Sequence, residues 1–462
     1  MRIDNTDRIT VIGAGMSGAL LSLMLARRGF DVVLFEAGTD PRRGSPDAWG
    51  SSSLSLGERG RHALAYAGLL EEVDAITKPM VGRMIHDRSR STTLQPYGVE
   101  ASEVLYAAPR HRLLTCLLDA AEATGRVRLN FGHRLLDVDW QASAAAFGTG
   151  GHDAGGDRTV HAFEVLIGAD GARSTLRGAM NGTKDLGVSE ELLDAGFKPF
   201  SIPALPGGEP PLDPSALHVW PRGGYMMIAL PAEAGRFSAI LFLPISGDHR
   251  MLWGFEQLDS HVRQRAFMQA NFPDAADLMP DLDREFNEQP VRRMGTVRCR
   301  DWHVGGRALL IGDAAHTVAP FHGQGVNSAF EDCETLLRLL EDSTDWEFAF
   351  RSLQSRRKPD TDALAEMSLD AFRTIRDSVR HRDFLLRKAL ERELERRHHD
   401  RFMARYALVS FRRIPYAEAL DRGRVQGGIL DELLQGKHEL AEVDLERAAR
   451  LIRDQLEPLP PP

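Results

Sequence analysis

The sequence predicts an α/β protein, in which a Rossmann-like dinucleotide-binding domain is interleaved with a β-sheet substrate domain and followed by C-terminal helices. Three observations carry that prediction. Near the start, Ile9-Thr10-Val11-Ile12 meets Gly13-Ala14-Gly15-Met16-Ser17-Gly18 and then the helix formers Ala19 to Arg28. Mid-chain, Tyr225–Leu230 and Phe237–Leu243 alternate in hydrophobicity around Ala232–Arg236, the pattern of a β-hairpin in a separate sheet. Beyond residue 345 the chain turns helix-forming and heavily charged, with both signs interspersed as in Arg387–Arg397.

The first stretch reads as strand, tight turn and helix opening a βαβ unit. Gly13 permits the turn, Gly15 lets a pyrophosphate approach the backbone, and Gly18 lets helix pack close to strand. The free N–H groups at the helix start then point at phosphate. A second strand, Asp31–Phe35, delivers Glu36 about 20 residues after the glycines, where a carboxylate accepts hydrogen bonds from ribose hydroxyls. An acid there disfavours a 2′-phosphate, so FAD or NAD fits this unit better than NADP.

At 462 residues the chain exceeds one ordinary core and is expected to form two or three domains. A net charge of −9 argues against general nucleic-acid binding. Cys116, Cys299 and Cys333 are far apart, show no metal-ligand spacing and suit a reducing cytosol, so no metal site is expected and the location is read as cytoplasmic. The N-terminal apolar run is broken by glycines and does not read as a signal peptide, and no run of about 18 apolar residues predicts a transmembrane helix.

In chain order, Gly38–Ser53 reads as a polar connection, Leu54–Leu64 as a helix ending near Gly68, and residues 76–106 as strands and turns, with Val81–His86 and Leu105–Tyr106 as strands. Arg110–Leu118 opens a helix, Gly148–Asp157 is a loop, and Phe163–Gly171 is a strand followed by a turn. Period two in the hairpin places Met226, Ile228 and Leu230 on one face, with Ser238, Ile240 and Phe242 on one face of the partner. Arg307–His316 repeats the strand-then-turn texture, followed by Pro320–Asn327 and a helix over Ser328–Leu340, and the tail Pro458–Pro462 is expected to be disordered.

The nucleotide fingerprint with Glu36, then Asp170-Gly171 and Gly312-Asp313 at strand ends, stand in the order that resembles the flavin-dependent aromatic hydroxylases, single-component monooxygenases carrying FAD. The resemblance implies a discontinuous FAD-binding domain over 1–75, 105–180 and 290–343, a substrate-binding sheet domain over 76–104 and 181–289, a helical region over 344–457 and a tail at 458–462. It further implies that Asp313 reaches a ribityl hydroxyl, that Asp170 and Gly171 serve both FAD and NAD(P)H, and that Arg110 faces FAD. Gly312, and Gly325 and Asn327 in the turn and helix after Pro320, would complete the cofactor site around the pyrimidine end of the flavin.

Leu94–Gly98, Leu217–Pro221, Trp302–Gly306, Pro320–Asn327 and Arg405-Tyr406 look like the kynurenine 3-monooxygenases of that family, of the soluble bacterial type. These use FAD, NADPH and O₂ to hydroxylate the ring of L-kynurenine through a C4a-hydroperoxyflavin, a reaction that needs no side-chain base. By that resemblance Arg83, Tyr97 and Tyr406 hold the amino-acid carboxylate, and Leu217, Met226, Leu230, Phe242, Pro320 and His322 line the aromatic pocket. The chain departs from the pattern at Ala371, where an asparagine is expected at the amino-acid end of the substrate, and at Ser51–Leu56, where an arginine-rich segment is expected. A paralogue acting on a modified kynurenine or another anthranilate-like aromatic therefore stays open. So do a halogenase or reductase on the same scaffold, although no W-x-W-x-I-P stretch is present, and a non-catalytic flavin-bound interaction protein. Oligomeric state is not legible in the sequence.

Overall fold

A parallel sheet built on the first strand organises the nucleotide half of the molecule. The structure is a computed structural model that describes residues 2–3, 7–44, 53–149, 157–247, 253–343, 345–377 and 382–460. Its six-stranded sheet runs His303–Val304, Ala308–Leu310, Val165–Gly168, Arg8–Ile12, Asp31–Glu36 and Val127–Phe131, with only the His303–Val304 pairing antiparallel. Ile9, Val11, Val165, Leu166 and Ile167 are fully buried, as central parallel strands covered on both faces must be. The helix Met16–Arg27 packs on this sheet with Leu20, Leu21 and Leu23 fully buried.

A seven-stranded sheet forms the second unit, in the order Arg292–Arg298, Ser189–Ile202, Phe237–Pro244, Met226–Pro231, Ala216–Pro221, Gly82–His86 and Thr92–Pro96. The hairpin pairs Leu230 with Ser238 and Met226 with Phe242, and its turn places Ala234 and Gly235 at φ 52° and 73°. One face of the hairpin, Met227, Ala229, Phe237, Ala239 and Leu241, packs beneath the helices His261–Asn271 and Leu282–Glu288. The alternate residues, Met226, Ile228, Ile240 and Phe242, face the other way. There they meet Leu369 and Phe372 of the long helix Trp346–Asp377 and Phe321 of the preceding turn.

Two expectations are corrected. Residues 53–56 are a strand and not the start of a helix: Ser53–Leu56 pairs antiparallel with Leu105–Pro109, and the helix begins at Glu58. The alternation of Leu54 and Leu56 fits a strand, and the amide of Asn327 fixes the turn by donating to the Ser55 carbonyl and accepting from the Gly57 N–H. The tail is tied down at least as far as Leu459, whose N–H donates to the Asp400 carbonyl at 2.7 Å. Within the expected Gly148–Asp157 loop, Gly148 and Thr149 end a strand, and residues 150–156 lie outside the described residues, as do Ser51 and Ser52.

Candidate functional site: a nucleotide cleft beside an arginine and two tyrosines

The glycine turn is built as a phosphate cradle. Gly13 sits at φ +98°, and a Cβ there would lie 2.5 Å from the Ala169 carbonyl oxygen. At Gly18 a Cβ would lie 1.9 Å from the Gly13 oxygen, so that glycine is required for the strand-to-helix approach. Gly15 differs: a Cβ there would meet nothing within 4 Å, and no side chain caps the helix that follows. The N–H groups of that helix start thus face open space, which is the donor geometry a pyrophosphate needs. Glu36 lies against the turn, accepting from Ala14 N–H at 2.8 Å and Gly38 N–H at 2.7 Å, one bond to each oxygen. Each oxygen keeps a second lone pair for a ribose hydroxyl.

Two charged groups stand where the sequence reading expects the flavin. Arg110, first residue of the helix Arg110–Ala123, and Asp313, first residue of the short helix Asp313–His316, are both accessible to water yet surrounded by protein. Accessibility at such depth is the mark of groups lining an internal cleft. Burial holds Asp313 above the usual carboxylate range against the pull of His316 and Arg110. Burial also holds Arg110 below its usual value, and Arg292 pushes the same way against Asp313. A bound FAD fits this donor set and this open cradle.

Asp170, Gly171 and Asn327 are more committed to the fold than the sequence reading expected. Asp170 accepts from Ser174 Oγ at 2.5 Å and from Leu176 N–H at 3.1 Å, steadying the start of the helix Thr175–Thr183, and Gly171 supplies a turn at φ +78°. Asn327 is fully buried beneath the Ser55–Gly57 turn, and its amide also donates to the Gly323 carbonyl at 3.0 Å. Gly325 opens the helix Gly325–Asp342. Gly312, at φ +56°, is held by Asp332, a residue the sequence reading missed. The fully buried Asp332 carboxylate accepts from Gly312 N–H at 3.1 Å and from Arg357 Nε at 2.9 Å, and lies 2.6 Å from His316 Nε2. Arg357 also pairs with Glu331 and Asp360, so one ion network joins the Gly312-Asp313 turn to the C-terminal helices. Nothing in the local sequence around Asp332 distinguishes it from other acids on a helix.

Across the cleft the structure brings Arg83, Tyr97 and Tyr406 together, from a strand, the loop after the next strand, and the helix Arg405–Phe411. The Arg83 guanidinium lies 4.0 Å from the Tyr406 ring centroid and 5.5 Å from that of Tyr97, and the two rings stack at 6.0 Å. Arg83 pairs with no carboxylate among the described residues, and the buried Tyr97 hydroxyl has no hydrogen-bond partner. Burial pushes the Tyr97 phenol well above its ordinary value, so it stays a donor. An arginine and a phenol left without anionic partners offer the donors that an anion would need.

Leu217 and Leu230 pack with Tyr97, Tyr406 and Met367 in one apolar cluster, and Met226 and Phe242 with Phe321 and Phe372 in the next, Ile228 touching both. Phe321, which lies 5.8 Å from Phe242 and 5.2 Å from Phe372, was not singled out from the sequence although its neighbours Pro320 and His322 were. Pro320 is exposed, and His322 is buried with its ring 6.2 Å from Tyr406 and Nδ1 unpartnered. Burial, with Arg405 and Arg83 nearby, lowers the His322 imidazole to about 3, leaving it neutral. Ala371 is half-buried, one and two turns past Met367 and Leu364 on the same helix face. A separate cavity of about 240 Å³, among Glu331, Glu334, Arg338, Arg357, Asp360 and Arg413, is lined by charged side chains that pair with one another.

Among the described residues, no helix is long and apolar enough to cross a membrane, and no cluster suited to a metal ion is present. The family model described as an FAD binding domain matches residues 6–344. The chain is 43% identical over 452 residues to a kynurenine 3-monooxygenase of Myxococcus xanthus, covering 98% of this chain and 96% of that one. It is 41% identical over 451 residues to a kynurenine 3-monooxygenase of Xanthomonas oryzae pv. oryzae, covering 98% and 97%. In fold it is similar to the tetrameric form of 2-methyl-3-hydroxypyridine-5-carboxylic acid oxygenase, with a TM-score of 0.64 at 19% identity over 82% of this chain and 94% of that one. With the nucleotide cradle in place and near-full-length identity above 40%, the chain belongs to the kynurenine 3-monooxygenase family of FAD-dependent aromatic monooxygenases.

Proposed function

We propose that the protein hydroxylates L-kynurenine on its aromatic ring to give 3-hydroxykynurenine, with FAD bound in the cleft, NADPH as electron donor, O₂ as co-substrate and the cytoplasm as its place of action. The observation that carries the substrate is Arg83, a guanidinium without a carboxylate partner among the described residues, flanked by Tyr97 and Tyr406 beside the apolar cluster that holds Leu217, Leu230 and Met367. An amino-acid carboxylate satisfies the charge, and a planar ring satisfies the pocket.

FAD would be held by the Gly13–Gly18 turn at its pyrophosphate, by Glu36 at its ribose, and by Arg110, Asp313 and the Gly323–Gly325 backbone toward the flavin. When bound and reduced, the flavin supplies the oxygen-activating chemistry. The residues of the chain bind, orient and exclude water. Arg83 with the two tyrosines fixes the amino-acid end, and Phe242, Phe321, Leu217 and Met226 keep water from the ring. The ring's own amino group provides the electron density at the carbon to be hydroxylated, so no basic side chain is required. His322 stays neutral and adds no competing charge.

Ala371 favours a second reading, a modified kynurenine or related anthranilate-like substrate, because a methyl group stands where a longer polar side chain would fill space near Met367. Purified holoenzyme, offered NADPH with L-kynurenine, ring- or chain-substituted kynurenines and simple aromatic amines, decides between them. Coupled formation of 3-hydroxykynurenine supports the first reading, coupled turnover of a substituted analogue alone supports the second, and NADPH oxidation with no hydroxylated product from any of them defeats both.

A further inference from the structure

Tyr97 and Tyr406 lie more than 300 residues apart, yet two carboxylates of the loop after Tyr97, the buried Glu103 and the half-exposed Glu100, face one histidine of the segment that carries Tyr406. Glu103, only 5% exposed, turns its Oε2 back on the loop that follows Tyr97, accepting from Val99 N–H at 2.8 Å and Glu100 N–H at 3.1 Å. The fit is close enough that a Cβ at Gly98 would lie 1.9 Å from that oxygen. The other oxygen, Oε1, has no hydrogen bond and lies 3.4 Å from His399 Nε2. His399 belongs to the turn that runs into the helix beginning at Arg405-Tyr406. Behind it, Glu395 accepts from Ala404 N–H at 3.1 Å, fixing the residue that caps the same helix. The guanidinium of Arg412, at the far end of that helix, approaches His399 Nε2 at 3.4 Å as well. Nε2 can donate to Glu103, donate to the half-exposed Glu100 whose Oε1 lies 3.6 Å away, or accept from Arg412; only the two carboxylates link the tyrosine-bearing segments, and of these Glu103 is the buried and nearer one.

We propose that Glu103 and His399 are positioning residues that set the separation of Tyr97 and Tyr406, and with it the selectivity of the Arg83 pocket for a carboxylate-bearing substrate. The inference rests on the reading of Arg83, Tyr97 and Tyr406 as the substrate's carboxylate receptor. Neither residue touches that receptor directly in the contacts described: Arg83 stacks on the tyrosines, and Glu103 and His399 hold the backbone on which those tyrosines are mounted. A stacked pair with a 6.0 Å ring separation leaves Arg83 little latitude, so a shift of either segment changes the fork that the carboxylate meets.

The test uses FAD-loaded enzyme without NADPH, titrated with L-kynurenine and with its decarboxylated amine analogue, and followed by perturbation of the flavin spectrum. Glu103→Gln, Glu103→Asp and the partly exposed His399→Gln are compared with wild type. Wild type is expected to prefer L-kynurenine, Glu103→Gln and His399→Gln to lose about tenfold of that preference, and Glu103→Asp to recover part of it. The double variant Glu103→Gln/His399→Gln is expected to lose no more than His399→Gln alone, since loss of the histidine already removes its pairing with Glu103. Binding of the decarboxylated analogue and the FAD affinity are expected to stay within twofold of wild type. Equal weakening of both ligands, or variants that keep the full preference while wild type shows it, would overturn the clasp and leave the receptor standing. A wild-type enzyme indifferent to the carboxylate would remove the receptor itself and the inference with it.

Discussion

Arg83→Met removes the charge and keeps much of the side-chain length. In the folded protein the guanidinium stacks 4.0 Å from the Tyr406 ring centroid and faces no carboxylate among the described residues, so its attraction for a substrate anion is undiluted. A charge-assisted hydrogen bond is worth about 1.5 to 3 kcal/mol, and a bidentate grip adds geometric selectivity. Allowing for the desolvation of the bound carboxylate, the loss in L-kynurenine binding should be about 2 to 4 kcal/mol, or roughly 30- to 900-fold in Kd. Stability should move less. In the absence of substrate the part-buried cation lies on the rings of Tyr406 and Tyr97 and hydrogen-bonds Tyr406, contacts that outweigh its desolvation and hold it above its ordinary pKa, so Arg83→Met should lower the stability of the ligand-free protein by no more than about 0.5 to 2 kcal/mol. Flavin-perturbation titration gives the first quantity and differential scanning fluorimetry the second, with FAD affinity as the control. A Kd changed by less than threefold, with FAD still bound, would refute the receptor; an intact Kd together with a large loss of stability would show Arg83 to be a structural cation.

The Gly15 and Gly18 positions predict opposite failures: Gly15→Ala should fold normally and bind FAD weakly, because its Cβ meets no protein atom within 4 Å, whereas Gly18→Ala should lower stability itself, with a Cβ 1.9 Å from the Gly13 oxygen; urea titration and FAD titration of both variants separate the two. Asp332→Asn leaves Arg357 short of a buried counter-charge and weakens the hold on Gly312, so a loss of about 3 to 5 kcal/mol in unfolding free energy is expected together with weaker FAD binding. Ala371→Asn should shift preference toward L-kynurenine over a substituted analogue by no more than about tenfold, one neutral hydrogen bond, and unchanged relative Kd values would make Ala371 simple packing. His322 is lowered from 6.5 to about 3, so between those values the unfolded chain binds a proton that the folded chain does not. Its contribution is full above pH 6.5 and is lost as pH falls, about 2 kcal/mol by pH 5, and His322→Gln should therefore be less sensitive to acidification from pH 7 to pH 5 than wild type, read by denaturant melts at the two pH values.

The nucleotide cradle was legible in the sequence because its determinants are local. Strand, glycine turn and helix follow one another within residues 9–27, and Gly18 answers to the Gly13 carbonyl of the same turn, although the crowding at Gly13 itself comes from the remote Ala169. The hairpin faces were legible for the same reason, since period two assigns Met226 and Ile228 to one side and Met227 and Ala229 to the other whatever they meet there. The grouping of Arg83 with Tyr97 and Tyr406 came from family resemblance, because no spacing rule links Arg83 to Tyr406. Tertiary structure alone decided what those faces meet. The charged C-terminal stretch, read from composition as solvated helix, also buries Leu364, Met367 and Leu369 in the apolar clusters beside Tyr97 and Phe242, and only packing selects which face of such a helix is buried. Residues 53–56 became a strand through Asn327 and the Leu105–Pro109 strand, and Asp332 and Glu103 acquired their roles from partners remote in sequence. Glycine turns and side-chain periodicity are written in neighbouring residues, whereas a buried carboxylate is given its purpose by whichever donors the folded chain brings within about 3 Å of it.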